Sequence, residues 1–240
     1  MANSYFQFKQ FRIEQDRCAM KVCTDACVLG ATADVEGAAR VLDIGTGTGL
    51  LALMAAQRNL DATIEAVEID QAAAAQATDN FAASPWGSRL MVHAQSLHAF
   101  ATSQPASFDR ILCNPPFFRH ALRSPDAART TARHTATDTL TFEEITAFAQ
   151  QFLTLAGRLI ILLPPPEMQH FGRAAATAQL YPIMRLVLHH RAGSKPLRHI
   201  TTFGRQPQAV AQSDLAIYAA DTEIYSRNFQ QLLQPFYLHL

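Results

Sequence analysis

An amide, two prolines and an aromatic ring stand together in the motif Asn114-Pro115-Pro116-Phe117, directly after the apolar run 108–113. Because proline cannot extend strand pairing, the run predicts a short buried strand that ends at the amide. The Asn114 side-chain oxygen and the Pro115 carbonyl are then two acceptors, and Phe117 can stack on a flat ring. This set of groups could hold a planar –NH2 group for methylation. A plain β-turn is the alternative that the motif alone leaves open.

A glycine-rich turn follows an earlier apolar run that contains Asp43. Glycines stand at Gly45, Gly47 and Gly49, and a helical pattern of leucines comes next. Glycine lets the backbone turn sharply beside a ligand, and the start of a helix offers unpaired N–H groups. The spacing matches neither the dinucleotide fingerprint nor the phosphate-binding loop. Glu68 ends the next apolar run, and an acid at such a strand end can accept both hydroxyls of a ribose.

Together these features predict that the chain binds S-adenosylmethionine. In this interpretation the glycine loop packs against the cofactor, Glu68 binds its ribose, and Asp43 supplies a negative field near its methionine part. Asn114 and Pro115 would orient an aromatic exocyclic amine, whose lone pair is otherwise delocalised into its ring. Holding the two reactants in line supplies much of the rate. A base within structured nucleic acid would first have to leave its stack.

Alternating strands and helices are predicted to position these residues. The predicted strands lie near residues 40–44, 62–68, 90–94, 108–113 and 158–163, with two or three antiparallel strands near 183–189, 199–203 and 215–218. This order indicates an α/β, Rossmann-like fold: a mostly parallel seven-stranded sheet with helices on both faces and an antiparallel C-terminal strand pair. In such sheets ligands bind beyond the carboxyl ends of the strands, where Asp43, Glu68 and Asn114 fall.

Length and composition suit a single domain that covers residues 1–240. The chain has 49% apolar and 17% charged residues, which is typical of a folded domain with a sizeable core. An N-terminal extension, about residues 1–36, is predicted to form a lid or a substrate-side element. No apolar run reaches membrane-spanning length and the start lacks a signal-peptide pattern, so a cytoplasmic location is expected. The spacing of the four cysteines matches no zinc-site template, and no metal is expected.

The net charge is zero, with 20 basic and 20 acidic residues, but the basic residues are unevenly distributed. No acid occurs between Glu167 and Asp214, and a second basic cluster lies in the aperiodic segment 118–140, which is long enough to predict a functional loop. A local basic patch on a neutral protein favours a phosphate-bearing substrate. The candidate contacts to substrate RNA are Arg119, Arg123, Arg133, Lys195 and Arg198.

With these motifs in view, the chain resembles the class I S-adenosylmethionine-dependent methyltransferases of the N6-adenine type, and most closely the bacterial tRNA1(Val) adenine-37 N6-methyltransferases. Many families share the Asn-Pro-Pro and glycine motifs, so the N-terminal block is the more selective part. The resemblance extends over nearly the whole chain. It rests on residues 8–11, 16–22, 24–25, 42–45, 50–54, 66–68, 84–86, 114–117 and 235–238.

The resemblance implies methylation of adenosine 37 in tRNA, with the anticodon loop as the partner and no obligate protein partner. It also implies that Lys21, Thr24 and Asp25 lie near the cofactor or the target pocket. Where many relatives carry an Asp that can contact the cofactor's adenine, this chain has Ser96, which carries no charge. Phe117 replaces a tyrosine that is common in the family.

Three alternatives stay open on the sequence. A protein-glutamine N5-methyltransferase shares the Asn-Pro-Pro chemistry, but it resembles a core that follows a sizeable helical domain, and only 44 residues precede Gly45. A guanine N2-methyltransferase acting on ribosomal RNA would use the same amine chemistry. A non-catalytic RNA-binding module with this fold is disfavoured by the presence of Asp43, Glu68 and Asn114 together.

Overall fold

A computed structural model describes residues 3–116, 140–220 and 222–240. The predicted site residues Phe117, Arg119, Arg123 and Arg133 lie outside the described residues. The strands of the described part are β1 Tyr5–Gln7, β2 Arg12–Glu14, β3 Arg40–Ile44, β4 Thr63–Glu68, β5 Leu90–Ala94, β6 Phe108–Cys113, β7 Leu153–Leu163, β8 Tyr181–Arg191, β9 Pro196–Gly204 and β10 Ala211–Tyr218. The helices are α1 Thr24–Thr32, α2 Leu50–Arg58, α3 Gln71–Ala82, α4 Leu97–Thr102, α5 Phe142–Phe152, α6 Pro165–Thr177 and α7 Arg227–Leu233.

The main sheet of the described residues has eight strands in the order β10-β8-β9-β7-β6-β3-β4-β5. Strands β5, β4, β3, β6 and β7 are parallel, and β9 runs antiparallel to both β7 and β8. The mostly parallel sheet and the antiparallel C-terminal pair are therefore confirmed.

The predicted number of seven strands is wrong, and so is the antiparallel pairing of the last strand. Strand β10 pairs in parallel with β8. Strand β9 finishes, and β10 begins, at the end of the sheet where β8 begins, so β10 runs opposite to β9. Because its neighbour is β8 rather than β9, the pairing is parallel and the sheet gains an eighth strand.

Helices cover both faces of the sheet, because side chains alternate between the two sides of each strand. On β3, Val41 packs with the buried residues of α1, α2 and α7. Its neighbour Leu42 packs on the opposite face with those of α4, α5 and α6. Asp43, two residues after Val41, points to the same face of the sheet and is fully buried on the α2 side.

The N-terminal hairpin of β1 and β2 is attached to both α3 and the C-terminal segment. Asn80 on α3 accepts a hydrogen bond from the Glu14 backbone N–H and donates one to the Glu14 carbonyl, both at 2.9 Å. The ring of Phe8, which follows β1, stacks on Phe11 at 4.5 Å and contacts Tyr237 at 6.0 Å between centroids. The hairpin is thereby held beside the carboxyl ends of the first parallel strands. Within the described ranges, no helix is both long enough and apolar enough to cross a membrane.

Candidate active site

Three parallel strands bring the predicted site residues to one edge of the sheet. Ile44 on β3 pairs with Val67 on β4 and with Cys113 on β6. The residues that follow these positions therefore emerge side by side, and a cavity of about 480 Å³ lies there. The predicted residues that line this cavity are Lys21, Gly45, Gly47, Glu68, Ser96 and Asn114.

Gly47 and Gly49 in the glycine loop are glycines for different structural reasons. Gly47 has φ +55°, and a Cβ at this position would meet no protein atom within 4 Å, so the space beside the backbone is open to a ligand. Gly49 has φ +86°, and its Cβ would lie 2.5 Å from the Phe81 ring. A side chain at Gly47 would strain the backbone and fill the cavity, whereas one at Gly49 would push α2 away from α3.

Glu68 is fixed in place by backbone groups on both sides. Its Oε2 accepts a hydrogen bond from the Gly47 N–H at 2.9 Å, and its Oε1 accepts one from the Asp70 N–H at 3.0 Å. A carboxylate has about four lone-pair sites, so each oxygen can accept a further hydrogen bond. The carboxylate is therefore oriented before any ligand arrives, with acceptor capacity facing the cavity.

Asp43 lies behind the glycine loop, not among the cavity-lining residues. Its Oδ2 accepts a hydrogen bond from the Thr46 hydroxyl at 2.6 Å, while its Oδ1 has no partner among the described residues. Burial raises the pKa of Asp43 to about 7, against the Thr46 hydroxyl and the Ala52 amide, which lower it. The negative charge of Glu68 raises this pKa further. A cation in the cavity would favour the ionised form of this carboxyl.

Asn114 lines the cavity with its side-chain oxygen buried, and this Oδ1 has no hydrogen-bond partner within the described ranges. An unpaired buried acceptor costs about 1–3 kcal/mol, so its presence at a cavity wall points to an N–H donor from a ligand. Pro115 is buried and directs the chain away from β6. The geometry therefore provides one of the two acceptors that the motif predicts.

The segment 18–23 forms a wall of the cavity, and Lys21 is part of this wall. Gln15 holds this segment, because its Oε1 accepts the Val22 N–H at 2.9 Å. The Lys21 ammonium donates to the Asn3 carbonyl at 3.2 Å. The predicted residues Thr24 and Asp25 are the first residues of α1 and lie outside the cavity lining.

Two of the predicted residues from different groups contact each other. Asp25, predicted near the cofactor, forms an ion pair with Arg198, predicted to bind RNA, with 2.9 Å between Oδ2 and Nε. Lys195 is exposed in the turn between β8 and β9. The Ser96 hydroxyl oxygen accepts the Ala99 N–H at 3.1 Å and caps α4, so part of its hydrogen-bonding capacity is already used.

Sequence reasoning missed Glu144, which also lines the cavity. This residue closes a capping box at the start of α5, where it accepts hydrogen bonds from the Thr141 N–H and hydroxyl at 2.8 and 2.9 Å. The spacing Thr-x-x-Glu before an apolar run is a recognisable helix start. That signal could have placed Glu144 at the edge of the site.

The residues present fit S-adenosylmethionine. The cavity volume falls in the range of small-ligand sites, about 300–1,000 Å³, and its lining includes the oriented Glu68 carboxylate and the open backbone at Gly47. Three buried side-chain oxygens have no partner among the described residues, and two of them, on Asp43 and Asn114, lie behind and beside this space. Among the described residues, no group of three or more His, Cys, Asp or Glu side chains is arranged to hold a metal ion.

Comparison with known proteins agrees with this assignment. Residues 21–165 match the model of the methyltransferase small domain family. A tRNA1(Val) (adenine(37)-N6)-methyltransferase from Bacteroides thetaiotaomicron is 43% identical over 241 residues and covers 100% of both chains. The protein of the same name from Serratia proteamaculans is 43% identical, covering 97% of this chain and 89% of its own.

Solved structures show the same fold at low sequence identity. A predicted O-methyltransferase from Agrobacterium tumefaciens has a TM-score of 0.66 and 18% identity, covering 88% of this chain and 96% of its own. A ribosomal protein L11 methylase from Lactobacillus delbrueckii has a TM-score of 0.52 and 18% identity, covering 76% and 77%. This chain belongs to the methyltransferase small domain family and, by its full-length identity to the named relatives, to the tRNA1(Val) (adenine(37)-N6)-methyltransferase family.

Proposed function

We propose that this chain transfers a methyl group from S-adenosylmethionine to the exocyclic N6 amine of an adenosine in tRNA. The relatives' names make adenosine 37 of tRNA1(Val) the first candidate target. The observation that carries the proposal is the buried Oδ1 of Asn114, which lies in the cavity wall beside the glycine loop and has no hydrogen-bond partner among the described residues.

The donor side of the site holds the cofactor through Glu68, Asp43 and the glycine loop. Glu68 accepts the ribose hydroxyls with the lone pairs that the Gly47 and Asp70 amides leave available. The buried Asp43 stabilises positive charge near the methionine part. When bound, S-adenosylmethionine supplies an electrophilic methyl carbon on a sulfonium. Gln95, Ser96 and Leu97 line the part of the cavity beyond β5, where the adenine would lie.

The acceptor side orients the target amine. The Asn114 Oδ1 accepts one amine N–H and the Pro115 carbonyl accepts the other, which turns the nitrogen lone pair toward the cavity and favours its more nucleophilic, pyramidal form. Phe117 stacks on the base in this proposal. Placing the amine in line with the methyl carbon removes much of the entropic barrier. The amine proton leaves after the methyl group is transferred, so no strong base is required.

The domain organisation, the RNA contacts and the location of the protein complete this proposal. Residues 1–240 form one domain, and the extension 1–36 acts as a substrate-side element, supported by the contact of segment 18–23 with the cavity. The tRNA binds through its anticodon loop, and the protein works in the cytoplasm. Candidate contacts to RNA phosphates are Arg119, Arg123, Arg133 and Lys195, whereas Arg198 is held by its ion pair with Asp25. Lys21, Thr24 and Asp25 belong to the wall of the site and its support.

The two catalytic alternatives are less favoured. The full-length relatives from Bacteroides thetaiotaomicron, Dyadobacter fermentans and Serratia proteamaculans are each named for methylation of adenine N6, not of glutamine or guanine N2. Both would use the same Asn114 acceptor, so the site geometry alone does not separate them. Analysis of the methylated product separates the three reactions.

Mass spectrometry of nucleosides tests the proposal. Unmodified tRNA1(Val) transcript is incubated with the protein and S-adenosylmethionine labelled in its methyl group, then digested. We expect the label in N6-methyladenosine, and its loss with a transcript in which guanosine replaces adenosine 37. Label in N2-methylguanosine or in protein, or no label at all in RNA, would overturn the proposal.

A further inference from the structure

Three basic side chains share one face of the sheet next to the candidate active site. Arg185 and His189 lie on β8 on either side of Val187, which pairs with His199 on β9. Residues paired across antiparallel strands, and those two apart along a strand, point to the same face. His199 pairs on its other side with Leu163, whose side chain packs on the α6 face. The three basic side chains therefore lie on the α6 face.

The register of the sheet brings this face level with the cavity. Cys113, the last residue of β6, pairs with Ile161, which pairs with Thr201, which in turn pairs with Arg185. Three strand spacings of about 4.8 Å separate β6 from β8, or about 14 Å. Asn114 follows Cys113 directly, so Arg185 lies within reach of the nucleotides that flank a base held at Asn114.

His189 is built to carry a positive charge. Its Nδ1 faces the Ser194 carbonyl at 2.6 Å, and its Nε2 faces the Asp214 carboxylate at 2.8 Å. Both partners are acceptors, so both ring nitrogens donate and the ring is an imidazolium. The hydrogen bond to Asp214 is the main reason why the pKa of His189 is raised.

Arg185 adds a second positive charge to this face, and His199 adds an imidazole ring beside it. The Arg185 Nε donates to the Thr201 hydroxyl at 3.4 Å, and Arg185 forms no ion pair with any carboxylate of the described residues. Burial lowers the pKa of His199, and the positive charges of Arg185 and His189 lower it further. The only acid in this group, Asp214, is already bound to His189. Because Asp214 balances the charge of His189, the excess positive charge of this face is that of Arg185, whose remaining N–H groups an anion can use.

Other basic residues of the same region are already paired with acids. Arg191 forms an ion pair with Glu223, and Arg198 forms one with Asp25 on the opposite face of the sheet. Arg185 differs from them because no acid within the described ranges forms an ion pair with it. A planar guanidinium with two donors side by side matches a phosphate group.

We propose that Arg185, His189 and His199 form a phosphate-binding surface for the backbone of the substrate RNA, beside the nucleotide that enters the cavity. This inference rests on the proposed function, because it assumes that the substrate is RNA. Arg185 donates two N–H groups to one phosphate, and His199 adds a further N–H donor. The His189 ring, whose two N–H groups are already used, contributes only its charge.

The test compares Arg185→Gln with Arg227→Gln. Arg227 is exposed on α7, which packs on the other face of the sheet, so the control removes the same charge elsewhere. Dissociation constants for tRNA are measured over a range of salt concentrations, and donor binding by calorimetry checks the fold. We expect Arg185→Gln to weaken RNA binding about three- to tenfold and to reduce the salt slope by about one. Donor affinity and the Arg227→Gln control stay at the parental values.

Two further variants complete the experiment. His199→Gln is expected to weaken RNA binding by a smaller factor than Arg185→Gln. Arg185→Lys is expected to recover only part of the affinity, because it keeps the charge but loses the paired N–H donors of the guanidinium. Parental affinity and salt slope in Arg185→Gln, in a parent that binds and methylates tRNA, would overturn the surface and leave the proposed function intact. A parent that neither binds nor methylates tRNA would instead overturn the proposed function, and the surface with it.

Discussion

The donor side and the RNA side of this protein are built in different ways. On the donor side, Glu68 is held by the amides of Gly47 and Asp70, and Asp43 by the Thr46 hydroxyl, all near the ends of adjacent parallel strands. On the RNA side, charged residues pair with acids far away in the sequence, as Arg198 does with Asp25. The donor side thus depends on local backbone geometry, and the RNA side on long-range charge pairing.

The largest effect on activity is expected from a substitution of Asn114, which lies between the donor side and the RNA side. Asn114→Ala removes the acceptor for the target amine but leaves the glycine loop and Glu68 intact. We expect kcat to fall about 100- to 1,000-fold, as when one oriented hydrogen-bonding group is lost from a catalytic site. Donor affinity, measured by calorimetry, should stay within about twofold of the parent. An equal loss of donor affinity would show that the two sides are not separate.

Removing the ribose acceptor should affect the donor side selectively. Glu68→Ala loses two charge-assisted hydrogen bonds to the ribose and the anchor of the Gly47 amide, so donor affinity should fall about 100-fold. RNA affinity in a binding assay should be unchanged. Glu143→Gln, at an exposed position in the first turn of α5, is the matched control for loss of one acidic charge. Unchanged donor binding by Glu68→Ala would remove Glu68 from the site.

The pH dependence of donor binding tests the buried Asp43. Its pKa of about 7 in the free protein lies well above the value of an exposed Asp, so the folded protein favours the neutral form and ionisation costs stability as the pH rises toward 7. A cationic donor favours the carboxylate, so binding releases a proton. Donor affinity should rise about tenfold from pH 6 to pH 8 and then level off. Asp43→Asn should abolish this dependence, and a flat profile in the parent would contradict it.

The smallest effect is expected at Arg198, although the sequence placed it among the RNA contacts. Its guanidinium is paired with Asp25, and both side chains are mostly buried. Arg198→Gln should therefore change RNA affinity only about twofold while lowering the melting temperature. Lys195→Gln, at an exposed turn, should weaken RNA binding more. The reverse order of the two variants would show that the Asp25 pair opens when RNA binds.

The sequence predicted those elements whose signals are local. The bounds of β3, β5 and β6 agree with the predicted strands, because apolar runs with turn residues at their ends define them. The meeting of Glu68 and Asn114 at one edge follows from parallel pairing. Lys21 was placed near the cofactor or the target pocket only through the resemblance, since the position of its segment depends on the hydrogen bond from the Val22 N–H to Gln15.

The parts that were missed depend on tertiary contacts. Strand β10 pairs with β8 instead of β9, and nothing within residues 211–218 specifies that neighbour. The pairs Asp25–Arg198 and His189–Asp214 join residues 173 and 25 positions apart. A count of basic residues along the chain therefore could not tell which charges are balanced by an acid.

A crystal structure with S-adenosylhomocysteine and an anticodon stem-loop that contains the target adenosine would test the central claim most directly. The account predicts the target N6 within hydrogen-bond distance of the Asn114 Oδ1, about 3 Å, with the cofactor ribose on Glu68. A target amine bound away from Asn114, or a cofactor outside the cavity beside the glycine loop, would contradict it.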